Sequence, residues 1–360
     1  MNALKHIATP LRTTLLRPRS LEHLPVLPQS LGRKTLPIPV SLQARRNIAS
    51  TTASAAPTGT MTTAEFSHMD PADQTHGVAA WTKVDVDYSS FGRKLYTRPV
   101  RDVRGREADF SVDKSGFAVY HSPAKEKLFV DDDTVRSGYY AEVEELLRTR
   151  LGPGVKKVVI FDHTIRRRLP GSARAPVQAV HVDQTPAAAD VRVRRHVEDP
   201  EEAERLLKGR YQLINVWRPI ENPASDHPLA VIDWRSTKAD EFVPVNLLYP
   251  KRPEGETDTD DRGKEVRPDE STWASTEGYE ARGETMRVLP SEAHEFYYVK
   301  DMTPDEVMLL KCYDSHGEGR PDGKQGIALR TPHSAFEDPH TPKDAKPRQS
   351  IEVRCLVFYE

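Results

Sequence analysis

From residue 117 to residue 358 the apolar residues come in short, separate runs, and this limits the fold more than any other feature of the chain. Phe117-Ala-Val-Tyr120, Val158-Val-Ile-Phe161, Val177-Gln-Ala-Val-His-Val182, Tyr211–Trp217, Leu229–Trp234, Phe242–Tyr249, Glu295–Lys300 and Ile351–Phe358 each have the length and the β-branched or aromatic content of a strand. The gaps between them draw on 29 prolines and 19 glycines, which interrupt helices and supply turns. Helical spacing is confined to a few places. Val135, Tyr139, Val143, Leu146 and Leu147 predict a helix over 134–151, ended by Gly152-Pro153. A second is predicted from Pro200 to about Lys208, with proline in its first turn and Glu201, Glu202 and Glu204 near the positive end of the helix dipole. The capping-box spacing of Thr303-Pro-Asp-Glu306 predicts a third, carrying Val307, Leu309 and Leu310 into the core. Many short strands, few helices and no βαβ alternation mean a mainly β chain with flanking α-helices, an antiparallel sandwich or barrel.

Charge divides the chain. Residues 1–60 carry Lys5, Lys34 and six arginines against Glu22 alone, a balance of +7, so a total of −2 leaves −9 for the rest. That acidic body argues against nucleic acid as a partner. The basic, Ser/Thr- and Pro-rich residues 1–60 match a mitochondrial transit segment, a disordered leader, or sequence upstream of a true start at Met61, and the expected location is cytoplasmic or mitochondrial. The single folded domain is expected over 61–360. Within it residues 251–287, charged and short of large apolar side chains apart from Trp273 and Tyr279, are expected to form a long solvated insertion. No run approaches the ~18 consecutive apolar residues of a membrane span. The two cysteines, Cys312 and Cys355, cannot build a disulfide framework or a four-cysteine zinc site, and suit a reducing compartment.

The chemistry most visible in the pattern is a metal site. Residues i and i+2 of a strand point the same way, so His-x-Asp presents an imidazole and a carboxylate together, two of the three ligands of a mononuclear non-haem iron centre. Four His-x-Asp/Glu matches occur where about two are expected by chance from 13 histidines and 54 acids in 360 residues, so spacing alone does not choose. His181-Val-Asp183 has the best setting, following Val177 and Val180. His68-Met-Asp70 lies in a polar segment, His196-Val-Glu198 precedes a charged helix start, and His316-Gly-Glu318 sits in a Gly-rich turn. A third ligand is open among His227, His294, His316, His333 and His340. A 2-oxoglutarate co-substrate would need a fixed cation for its far carboxylate. Arg348 with Ser350, two apart on one strand face, meets that need; Arg354 shares the face, and spacing does not separate them.

Seven ordered runs go further: His181-Val-Asp-Gln-Thr185, Ile214-Asn-Val-Trp-Arg-Pro-Ile220, Pro228-Leu-Ala-Val-Ile-Asp233, Met302-Thr-Pro-Asp-Glu-Val307, Lys311-Cys-Tyr-Asp-Ser315, Pro332-His-Ser-Ala-Phe336 and Pro347-Arg-Gln-Ser-Ile-Glu-Val-Arg354. Over roughly residues 85–358 the chain resembles the fungal hydroxylase/desaturase family, related to gibberellin desaturase-like proteins, the cephamycin methoxylation J-component and a meroterpenoid endoperoxide-forming oxygenase. The resemblance implies a double-stranded β-helix (jelly roll, cupin-like), Fe(II) and 2-oxoglutarate as cofactors, and dioxygen-dependent hydroxylation or desaturation of a small organic molecule of secondary metabolism. It implies His181, Asp183 and His333 as metal ligands and Arg348 with Ser350 as the carboxylate clamp. Asn215, Trp217 and Arg218 fall in a family-like run as candidate pocket residues. Two rival readings accompany it: a non-catalytic β-barrel that binds small molecules, and a zinc-dependent hydrolase using the same ligand types.

Overall fold

The computed structural model describes residues 60–73, 79–168, 176–252 and 268–359. The expected leader, except Thr60, and the middle of the expected insertion, 253–267, lie outside the described residues. Fourteen strands form among those described: β1 (Met61–Met69), β2 (Ala80–Lys83), β3 (Arg93–Asp102), β4 (Phe117–His121), β5 (Val155–Arg167), β6 (His181–Val182), β7 (Arg210–Pro219), β8 (Leu229–Ile232), β9 (Phe242–Pro250), β10 (Tyr279–Val288), β11 (Phe296–Tyr298), β12 (Glu306–Asp314), β13 (His333–Ala335) and β14 (Gln349–Tyr359). They make a nine-stranded sheet, β1-β3-β11-β8-β13-β6-β10-β9-β2, and a five-stranded sheet, β4-β12-β7-β14-β5. Only β3/β11 and β2/β9 pair in parallel; the architecture is mainly β with flanking helices, as the short apolar runs predict.

The smaller sheet is held by period-two alternation. Ile351, Val353, Cys355 and Val357 of β14 and Ile214 and Val216 of β7 all point to one face, where they pack with Val143, Leu146 and Leu147. Those three belong to the helix predicted over 134–151. It starts as α1 (Asp132–Thr134), capped by the Asp131 carboxylate on the Thr134 N–H, passes a π turn at Val135–Tyr139 and runs on as α2 (Tyr140–Leu151). Gly152, at φ +93°, ends it in a conformation that disfavours a side chain. The other face of β14 and β7 is mixed: Trp217, Ser350, Glu352 and Arg354 line a cleft against the larger sheet, while Tyr211, Leu213, Leu356 and Phe358 pack in a second apolar cluster.

Three expectations fail. Thr303–Glu306 makes its local bonds, the Glu306 carboxylate accepting from the Thr303 N–H and hydroxyl, but the chain leaves as strand β12 instead of a helix. Val307, Met308, Leu309 and Leu310 are all fully buried, which suits a strand covered on both faces and paired on both edges by β4 and β7; a surface helix buries one stripe. The last quarter of 251–287 is not loop: β10 pairs with β9 and, at Met286 and Arg287, with β6. Its outward residues supply the charge while Thr285, Met286 and Val288 turn inward, so average composition concealed it. The run 177–182 shortens to the two residues of β6. The predicted Pro200 helix forms as α4 (Pro200–Leu206), and a further one, α3 (Pro186–His196), precedes it with Thr185 accepting from the Ala188 N–H and proline in its first turn.

Candidate metal centre

Although β6 has only two residues, it is pinned on both sides. His181 lies opposite His333 of β13 and opposite Arg287 of β10, and the Thr285 hydroxyl donates to the Val182 carbonyl at 2.8 Å. Alternation sends Val180 and Val182 into the core of the larger sheet and leaves His181 and Asp183 facing the cleft between the sheets. Cross-strand pairing then brings the two imidazoles to a centroid separation of 4.4 Å.

Each ring is oriented by its other nitrogen. His181 Nδ1 lies 2.7 Å from the Ala179 carbonyl and His333 Nδ1 3.1 Å from that of Thr331. A carbonyl can only accept, so Nδ1 carries the proton and each Nε2 keeps its lone pair for a metal. The two Nε2 atoms stand 3.4 and 3.7 Å from Asp183 Oδ1, and the three ligand atoms lie within 4.8 Å of one another. Two imidazoles and one carboxylate form the donor set of a facial-triad iron site. The second carboxylate oxygen of Asp183 is tied to the smaller sheet: Asn215 Nδ2 donates to it at 2.6 Å, Cys312 Sγ lies at 3.8 Å and Arg354 Nε at 3.9 Å. Burial pushes the Asp183 carboxyl upward, but its neighbours His181, His333 and Arg354 outweigh that and hold it well below the usual carboxylate range. Burial, then His333, lowers His181, which keeps the imidazole neutral as a ligand must be.

The two arginines that spacing left open separate here. Arg348, Ser350, Glu352 and Arg354 all line the cleft. Arg354 is already paired: it donates to Asp162 at 2.7 Å, Glu352 at 2.6 Å and Thr164 Oγ1 at 2.9 Å, and although burial lowers its basicity, the carboxylates around it outweigh that and raise it. Arg348 is buried, with Nη1 on the His227 carbonyl at 2.8 Å, its guanidinium 5.5 Å from the Trp217 ring, and Nε without a partner. Burial, then Arg166, pushes it down to about 9. A buried cation with an open donor and no carboxylate bonded to it fits an incoming carboxylate.

Of the candidate pocket residues, Asn215 and Trp217 face the cleft and Arg218 does not. Position 218 has the opposite parity on β7, so its guanidinium turns to the helix side, donating to Tyr139 Oη at 2.7 Å and to the carbonyls of Ser122 and Pro304. The other third-ligand histidines are engaged elsewhere: His294 with Glu241, His227 between Asp226 and Glu337, His340 beside Asp338, and His316 in the turn after Asp314. Asp162, Cys312 and Glu352 also surround the centre; Cys312 and Glu352 lie within the runs Lys311–Ser315 and Pro347–Arg354 without having been singled out there, Glu352 being readable as the residue between Ser350 and Arg354 on their shared face, and Asp162 lies in none of the runs.

A larger chamber of about 700 Å³ opens beside the centre, bounded by Phe161, Asp162, Gln184, α3, and parts of β9 and β10. It shares Asp162 with the Arg354 network, and Gln184 follows Asp183 directly. A bulge between Ala281 and Glu284 shapes one wall, with Gly283 at φ +89°.

Residues 66–358 match a family model described as an oxidoreductase/YMDC permease-like domain. The chain is 34% identical over 285 residues to hydroxylase/desaturase efuI of Hormonema carpetanum, covering 74% of this chain and 85% of that protein. It is 34% identical over 264 residues to Fe(II)/2-oxoglutarate-dependent dioxygenase nvfI of Aspergillus novofumigatus, covering 71% and 81%. The solved structure of the iron and alpha-ketoglutarate-dependent endoperoxidase NvfI superimposes with a TM-score of 0.66 at 28% identity, over 83% of this chain and 98% of that one, so the two sheets are those of a jelly-roll oxygenase. The chain belongs to the fungal hydroxylase/desaturase family of Fe(II)/2-oxoglutarate-dependent dioxygenases.

Proposed function

We propose that His181, Asp183 and His333 hold the Fe(II) of this oxidoreductase and that Arg348, with Ser350 beside it, clamps the far carboxylate of 2-oxoglutarate, the enzyme hydroxylating or desaturating a small organic metabolite. The observation that carries this reading is the approach of two Nε2 atoms to one carboxylate oxygen, each ring fixed by a carbonyl at its other nitrogen. Bound Fe(II), with 2-oxoglutarate and dioxygen, supplies the oxidising power for removing a hydrogen atom from substrate. The protein's part is geometric and electrostatic. Asn215 holds Asp183 Oδ2 so that Oδ1 stays with the histidines. Trp217 covers the Arg348 guanidinium and keeps water from it, which strengthens its pairing with an anion. Cys312, fully buried against Asp183, closes the rear of the site with a thiol pushed far up by burial and unsuited to nucleophilic work. Among the described residues no helix is long and apolar enough to cross a membrane.

The test is succinate formation from 2-oxoglutarate by the purified full-length protein. It should require Fe(II) and dioxygen together and vanish in Asp183→Ala. Turnover of a hydrolysable substrate with Zn(II) and no oxygen would support the hydrolase reading instead, and failure to bind iron would support the non-catalytic one.

A further inference from the structure

On the other face of the larger sheet from the metal centre lies a second cavity, of about 670 Å³, which the proposed reaction does not use. Met286 of β10 pairs with Val182 and shares its face, the one turned away from His181 and Asp183. With Phe242, Leu329 and Arg330 it makes a buried floor, to which Trp234 adds an aromatic wall. Lys114, Ala239 and Gly319 stand at an exposed rim, so the cavity is open to a ligand from solvent.

The floor holds a cation without an anion. Arg330 is 7% exposed, its Nη1 donates to Met286 Sδ, and its guanidinium lies 4.7 Å from the centre of the Phe242 ring. A thioether is a weak acceptor and an aromatic face carries no net charge, so neither neutralises it. Burial pushes Arg330 down to about 10, which leaves it charged at neutral pH. Arg320 lines the same cavity, bonded to the Tyr313 hydroxyl and with a buried Nε that has no partner. The remaining charges are matched, Arg235 by Asp233 and Glu318 by the Gly326 N–H, and neither matched carboxylate is bonded to Arg330 or Arg320. A buried guanidinium is costly to keep without an anion, and here it faces a cavity with apolar and aromatic walls.

We propose that this cavity binds a flat aromatic carboxylate, its anionic end on Arg330 and Arg320 and its ring system against Phe242 and Trp234. A guanidinium fork meets a carboxylate with two N–H donors at once, and the rings on either side take the apolar body. The site is separate from the Arg348 clamp, so its ligand and 2-oxoglutarate bind together without competing.

Calorimetric titration of the full-length protein with 2-naphthoate tests this against 2-naphthylmethanol, which has the same rings without the charge. The acid should bind at least about tenfold tighter, the worth of a charge-assisted hydrogen bond. In Arg330→Gln that preference should fall below about threefold while the alcohol binds as before, and Arg330→Lys should keep part of it. Ala239→Trp, a change at the exposed rim that leaves the core untouched, should weaken both probes by filling the cavity. Equal binding of acid and alcohol to the parent protein, an unchanged preference in Arg330→Gln, indifference to Ala239→Trp, or competition between 2-naphthoate and 2-oxoglutarate would each overturn the proposal. Asp183→Ala should leave the acid preference intact, which keeps this site's test apart from that of the metal centre; loss of the preference in that variant would also count against a separate site.

Discussion

Replacing Arg348 with glutamine should move affinity and stability in opposite directions. The side chain is buried, makes one hydrogen bond to the His227 carbonyl, and is pushed down to about 9 from the ordinary 12.5, chiefly by burial. A base whose folded pKa is depressed costs stability, in full below about pH 9 where it is charged in both states, and the cost fades as pH rises toward its unfolded value. A shift of this size corresponds to a penalty of a few kcal/mol. Arg348→Gln removes that penalty, and we expect the protein without co-substrate to melt about 2–6 °C higher at pH 7. The same change deprives 2-oxoglutarate of a buried cationic partner, worth about 2–5 kcal/mol, so its dissociation constant should rise at least 30-fold. Anaerobic titration of the charge-transfer band reads the affinity and thermal unfolding reads the stability. Arg354→Gln is the contrast. It strands Asp162 and Glu352 in a buried site and should lower the melting temperature. The reasoning fails if Arg348→Gln binds 2-oxoglutarate within about threefold of the parent, or if it melts lower.

The cationic form of Arg348 is the one that binds, so the 2-oxoglutarate dissociation constant should stay flat to about pH 9 and climb about tenfold per unit above it; a flat profile to pH 10.5, measured with the same band, would assign the clamp to an unperturbed arginine. Asn215→Ala removes the donor at 2.6 Å from Asp183 Oδ2 and should weaken Fe(II) binding about 10–100-fold with little change in melting temperature, as read by metal titration under argon. Gly116 has φ +87°, and a β-carbon there would stand 2.4 Å from Thr331 Oγ1 and 2.9 Å from the Arg330 carbonyl, just before His333. Gly116→Ala should therefore cost on the order of 2–4 kcal/mol in urea unfolding and weaken iron binding as well.

How much of this was readable in the sequence depended on the range of the interactions involved. His181 and Asp183 were legible because strand periodicity acts over two residues. His333 stood among five candidate histidines until family likeness singled it out, since cross-strand register with His181 joins positions 152 residues apart. Arg348 and Arg354 share a strand face, and what separates them, the Asp162 carboxylate on β5 and the His227 carbonyl, comes from distant segments. The orientation of Arg218 was available: its parity differs from that of Asn215 and Trp217, and a strand at 211–217 was already predicted. Thr303–Glu306 misled because a local cap was weighed above a run of four buried apolar residues, which a two-sided strand accommodates better. The chamber escaped notice because α3 did, although Thr185-Pro186 carries both a capping hydroxyl and a proline suited to a first turn.

The most direct test of the centre is an anomalous diffraction map at the iron edge from crystals grown anaerobically with Fe(II). The account predicts one dominant peak about 2.0–2.2 Å from His181 Nε2, His333 Nε2 and Asp183 Oδ1, absent in His333→Ala crystals. A peak elsewhere, or one that persists without the His333 imidazole, would contradict it.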